Sequence, residues 1–121
     1  MAVVRILLVD DSQTTLVAER AILVRSGYEV LTARSADEGR RLAIAERPDL
    51  VLVDADMPRV SGLEACRQLA ADPLTAAIPV LLLQAGWLGE PPGAPAWRAV
   101  VSKPVVAPEL LGAVRSLVGR D

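Results

Sequence analysis

A doubly wound α/β sheet of five parallel strands is the fold this sequence predicts, and three observations predict it. Short β-branched and leucine-rich runs alternate with segments of helical period, and turn residues punctuate the joins. Two of the runs, Leu50-Val51-Leu52-Val53 and Val80-Leu81-Leu82-Leu83, are apolar without interruption, as parallel strands covered on both faces are. The chain has 121 residues, 52% hydrophobic and 23% charged, enough for a single domain over 1–121 with one sheet-centred core.

The elements follow in order. Strands are predicted at about Val4–Val9, Glu29–Ala33, Leu50–Val53, Val80–Leu83 and Ala99–Val101. Helices fall between them at Gln13–Ser26, Ala36–Ala45 and Gly62–Ala71, with a last one over Pro108–Val118. Gly27 suits the position just past the first helix, Ser35 with Glu38 reads as a capping box, and Pro108 fits a first helical turn. Pro48 and Pro79 stand just ahead of strands, where a missing N–H costs little. The segment from Ala85 to Ala96, AGWLGEPPGAPA, carries three glycines and three prolines. Proline costs a helix about 3 kcal/mol and glycine about 1, so a loop with at most a short helical turn is expected there, flanked by Trp87 and Trp97.

Composition removes whole classes of chemistry. There is no histidine, which excludes serine-type triads and imidazole metal sites, and the single cysteine, Cys66, excludes an internal disulfide. Cys66 falls on the stripe of Leu63 and Leu69 and reads as a packed, inert thiol. A net charge of −2 with 2% aromatic residues argues against direct nucleic-acid binding, and no run approaches the length of a membrane span. A cytoplasmic chain is expected. Carboxylates and lysine are left to do any chemistry.

In a doubly wound sheet, functional groups gather at the carboxyl ends of the strands. Strand one ends in Asp10-Asp11, strand three in Asp54, strand four in Gln84, and strand five runs into Ser102-Lys103-Pro104. Three carboxylates brought together repel one another unless a cation joins them, and an all-oxygen set suits Mg²⁺. Lys103 is the only lysine among 13 basic residues, which singles out a compact point charge at this place.

These residues resemble the receiver domain of bacterial two-component response regulators over the whole chain. The resemblance rests on the acidic pair in LLVDDS, on DLVLVDADMPRVSG with its aspartate, Met-Pro and glycine, and on Val101-Ser102-Lys103-Pro104. It implies a (βα)₅ flavodoxin-like sheet of order 2-1-3-4-5, with the fourth helix shortened or replaced by the Pro/Gly-rich loop. It also implies that Asp54 is the phosphoacceptor, that Asp10, Asp11, Asp54 and the backbone carbonyl of Asp56 hold Mg²⁺, and that Lys103 pairs with the phosphoryl group. The partner would be a histidine kinase or histidine phosphotransfer domain, with a downstream protein target or a second copy of the chain to receive the signal. Such a chain is a phosphoacceptor rather than an enzyme, catalysing only its own phosphorylation and dephosphorylation.

Two positions depart from the family pattern. Gln84 stands where a switch serine or threonine is usual, and Val100 where an aromatic ring is usual. Gln84 can donate an amide N–H to a phosphoryl oxygen only by folding back, so atypical output switching is expected. The alternative is a degenerate receiver acting as a phosphorylation-independent interaction module. Asp54-Ala55-Asp56 also looks like the aspartates of haloacid-dehalogenase-type phosphatases, but the chain lacks room for a cap domain and places its acidic pair before that motif. The first helix has apolar residues nearly all round its axis, so Leu16 and Leu23 are expected to form either a partner-facing stripe or ordinary exposed surface. The chain stops directly after the last helix, which favours a stand-alone regulator.

Overall fold

A computed structural model describes residues 3–85 and 96–119. Within them five strands, β1 (Arg5–Val9), β2 (Glu29–Ala33), β3 (Leu50–Asp54), β4 (Val80–Ala85) and β5 (Ala99–Lys103), form one parallel sheet of order β2-β1-β3-β4-β5. Four helices accompany them: α1 (Gln13–Arg25), α2 (Ala36–Glu46), α3 (Gly62–Ala71) and α4 (Ala107–Val118). Residues 86–95, on which the expectation of a helix-poor loop and Trp87 fall, lie outside the described residues. No helix among the described residues is long and apolar enough to cross a membrane.

The predicted helix ends are formed as their chemistry requires. Ser35 Oγ accepts from the Glu38 N–H at 3.1 Å, and the Glu38 carboxylate reaches back to the Arg34 N–H at 2.7 Å rather than to that of Ser35. Gly27 has φ of 91°, and the N–H groups of Gly27 and Tyr28 return to the carbonyls of Val24 and Leu23. Strands three to five run one to two residues further than the apolar pattern predicts. Ladder pairing, which is indifferent to side chains, continues through Asp54↔Leu83, Gln84↔Ser102 and Ala85↔Lys103.

The two faces of the sheet bury separate clusters because strand side chains alternate. Leu7, Val9, Val51, Val53, Val80 and Leu82 pack with residues of α2 and α3, together with Trp97. Ile6, Leu8, Leu50, Leu52, Leu81 and Leu83 pack with residues of α1 and α4. Cys66 is fully buried in the first cluster, which pushes its thiol up to about 12 and leaves it inert at neutral pH.

α1 overturns the partner-facing reading of Leu16 and Leu23. Both are buried against the sheet, at 2% and 0% exposure, and each burial stabilises by roughly 2–3 kcal/mol. The large apolar residues of this helix left in water are Val17 and Val24. Apolar residues on every side of this helix gave no contrast from which to read its orientation, and the acidic Glu19 lies on the buried side at 3% exposure.

Candidate functional site

The parallel register sets the carboxyl ends of β1, β3, β4 and β5 side by side, and the predicted residues meet there. Asp10 follows β1 directly and its N–H donates to the Ala33 carbonyl of β2 at 3.0 Å. Its Oδ1 accepts from the Ser12 N–H at 2.9 Å, while Ser12 also caps α1. Asp54 is the last residue of β3 and is buried at 3% exposure. By the pleat, Asp54 and Lys103 continue the face of Leu52 and Val101, whereas Gln84 continues that of Val80 and Leu82. Gln84 is buried, at 6% exposure.

Lys103 Nζ donates to Asp54 Oδ1 at 2.6 Å and lies 3.5 Å from Asp56 Oδ2. Asp54 Oδ1 also accepts from the Asp56 N–H at 3.2 Å, so two donors orient the carboxylate. Partial burial disfavours the Lys103 ammonium, but the hydrogen bond and charge of Asp54, with Asp56 and Asp10 beyond, outweigh it and raise the pKa above the ordinary lysine value. The peptide bond from Lys103 to Pro104 is cis.

Asp10, Asp11 and Asp54 each offer a carboxylate oxygen within 4.8 Å of the others. Asp10 Oδ2 is buried and has no hydrogen-bond partner. Burial, with Asp54 and Asp11 adding to it against the Ser12 N–H and Lys103, pushes Asp10 up to about 6. An orphaned carboxylate oxygen in a converging all-oxygen cluster is what a hard divalent cation satisfies, so the residues fit Mg²⁺.

Sequence reading missed three features. Gly62 packs so close to the end of β3 that a Cβ there would collide with the Asp54 carbonyl oxygen and lie 2.6 Å from Ala55 Cα. Its only signal was a glycine at fixed spacing after Asp54. The Asp56 carboxylate, half-exposed, accepts from the Ala85 N–H at 3.0 Å. Glu19 carries a second orphaned oxygen, Oε2, and nothing in the sequence marked it as buried.

Burial raises Glu19 to about 7, with Asp10 and Asp54 adding and Lys103 opposing. The folded chain therefore binds this proton more tightly than the unfolded chain, and the stability it contributes is complete below about pH 4.5 and is lost as pH rises to about 7. Glu19→Gln should leave stability at pH 4.5 unchanged and raise it at pH 8 by on the order of 1–3 kcal/mol. Urea titration at the two pH values checks this, and an equal effect at both would show that Glu19 is not the titrating group.

The sequence pattern of the response regulator receiver domain family matches residues 6–87. The chain is 46% identical to protein PilH of Pseudomonas aeruginosa over 79 residues, 65% of each chain. It is 32% identical to the polar-differentiation response regulator DivK of Brucella anthropi over 117 residues, covering 94% of this chain and 95% of that one. Its match to PilH thus leaves about a third of that relative uncovered. Among solved structures it is similar to chemotaxis protein CheY4 of Vibrio cholerae, with a TM-score of 0.85 at 25% identity over 96% of this chain and 99% of that one. It is equally similar, with a TM-score of 0.85 at 26% identity over 98% and 99% of the two chains, to the receiver domain of sensor histidine kinase PA1611 of Pseudomonas aeruginosa, whose structure has a magnesium ion coordinated in the active-site cleft.

Proposed function

Because the chain belongs to the response regulator receiver domain family, we propose that it accepts a phosphoryl group on Asp54 from the phosphohistidine of a histidine kinase or phosphotransfer protein, with Mg²⁺ held by Asp10, Asp11, Asp54 and the backbone carbonyl of Asp56. The observation that carries this reading is the 2.6 Å contact between Asp54 Oδ1 and Lys103 Nζ beside the three-carboxylate cluster. Receiver domains are signalling domains rather than conventional enzymes, and residues 1–121 are read as one of them.

A buried carboxylate held by two donors is a positioned nucleophile. An Asp54 oxygen attacks phosphorus, the bond from phosphorus to the donor's imidazole nitrogen breaks, and the acyl phosphate remains on Asp54 until water hydrolyses it. Mg²⁺, when bound, supplies charge neutralisation for the phosphoryl oxygens. Lys103, already in contact with Asp54, is placed to stabilise the same charge from the β5 side. The Ser12 N–H holds Oδ1 of Asp10 and the Ala33 carbonyl holds its backbone N–H, leaving Oδ2 without a hydrogen-bond partner.

Gln84 and Val100 replace the usual switch pair, and Gln84 lies on the opposite pleat face from Asp54 and Lys103. The lack of a hydroxyl and of an aromatic ring at these two positions supports an atypical readout of phosphorylation. Incubation with Mg²⁺ and acetyl phosphate should add one acid-stable, base-labile phosphoryl group, read by intact mass. A chain that remains unmodified under these conditions would be an interaction module instead. Asp11→Ala should weaken Mg²⁺ binding about tenfold or more while the domain stays folded, since it removes a ligand and relieves repulsion. Calorimetric titration with Mg²⁺ checks it, and parental affinity in that variant would remove Asp11 from the ligand set.

A further inference from the structure

We propose that the Asp56 carboxylate is a positioning residue of the phosphoryl site, holding Lys103 and the Ala85 N–H in the unphosphorylated chain and yielding them when a phosphoryl group arrives on Asp54. The proposal rests on the reading of Asp54 as phosphoacceptor. Its basis is one oxygen in two contacts: Asp56 Oδ2 accepts from the Ala85 N–H at 3.0 Å and lies 3.5 Å from Lys103 Nζ. Ala85 and Lys103 are register partners across β4 and β5, so a single anion ties together the ends of both strands.

The same ammonium already donates to Asp54 Oδ1 at 2.6 Å. Asp54 and Asp56 thus bracket one cation, and a phosphoryl group built on Asp54 brings its oxygens to that cation, beside the Asp56 carboxylate. Two anions then compete for one ammonium. Asp54 cannot yield, because it carries the new group and its side chain is only 5% exposed, whereas the Asp56 side chain is 50% exposed and can turn into water. A half-exposed ion pair contributes little, about 0–1 kcal/mol, so its release is cheap. When Asp56 leaves, the Ala85 N–H loses its acceptor. Phosphorylation is in this way felt at the end of β4 through a backbone amide, in a chain whose side chain at the preceding position is Gln84.

The test uses the whole chain, with beryllofluoride as the phosphoryl mimic at saturating Mg²⁺ and Mg²⁺ affinity measured separately for each variant. Asp56→Asn keeps an oxygen for the Ala85 N–H and removes the charge, so it should bind beryllofluoride about fivefold more tightly than the parent. Asp56→Ala should bind at least as tightly and should shift the Ala85 amide proton upfield before any addition. In the parent, the Asp56 carboxyl carbon and the Ala85 amide resonances should move together on phosphorylation. Intact binding by the parent with equal or weaker binding by both variants overturns the proposal alone, as does an Ala85 amide indifferent to Asp56→Ala. Failure of the parent itself to bind beryllofluoride or to accept phosphate overturns the reading of Asp54 and the proposal with it.

Discussion

Asp54→Asn should lose phosphoryl incorporation from acetyl phosphate by about a thousandfold or more, ~4 kcal/mol of transition-state stabilisation, while remaining folded. The amide is nearly isosteric with the carboxylate but has no anionic oxygen to attack phosphorus. Its effect on the fold should be small, because two consequences oppose each other. Lys103 exchanges an ion pair for a bond to a neutral amide oxygen, and the pair Asp10 and Asp11 loses a like-charged neighbour. Intact mass and thermal unfolding of the variant read the two effects separately. A phosphoryl group that still appears, on any other residue, would remove Asp54 from the centre of the mechanism.

Gly62→Ala should be the most damaging of the glycine-to-alanine changes among the described residues. The new Cβ would meet the Asp54 carbonyl oxygen and would lie 2.6 Å from Ala55 Cα, and both obstacles are backbone. No side-chain rotation relieves such a contact. Either the α3 N-terminus withdraws, breaking the 3.3 Å bond from the Gly62 N–H to the Ala55 carbonyl, or the end of β3 moves and takes Asp54 away from Lys103. We expect a loss of about 3 kcal/mol, lowering Tm by on the order of 10 °C, together with impaired phosphorylation. Gly112→Ala makes the contrast. It sits within α4 with nothing within 4 Å of its new Cβ, and should stabilise by about 0.5–1 kcal/mol. A Gly62→Ala chain that melts like its parent and accepts phosphate normally would show that α3 does not lie this close to Asp54.

Much of this protein was written locally. Apolar runs bounded by turn residues placed five strands, and capping residues such as Ser35 and Gly27 placed helix ends, because those signals act within a few residues of one another. Asp10, Asp11, Asp54 and Lys103 were found as a site from the fold class, since a parallel sheet with crossovers sends every strand's carboxyl end to one edge. The lone lysine and the absence of histidine narrow the chemistry by composition alone.

Other features required packing to decide them. Pairing across β3, β4 and β5 carried the strands past their apolar runs to Asp54, Ala85 and Lys103, because a ladder is extended by a neighbour's backbone and not by hydrophobicity. The rotation of α1 buried Leu16 and Leu23 instead of showing them to a partner, and Glu19 with them, and a helix apolar on nearly every side has no pattern from which that rotation can be read. The Asp56 carboxylate reached Ala85, 29 positions away, and Gly62 came against Asp54 across the turn after β3. Sequence by itself determined which groups this protein brings to its site, because strand direction and residue type are local properties. Tertiary structure alone decided which of them share a partner, because a hydrogen bond or a close approach depends on distances that only the finished packing sets.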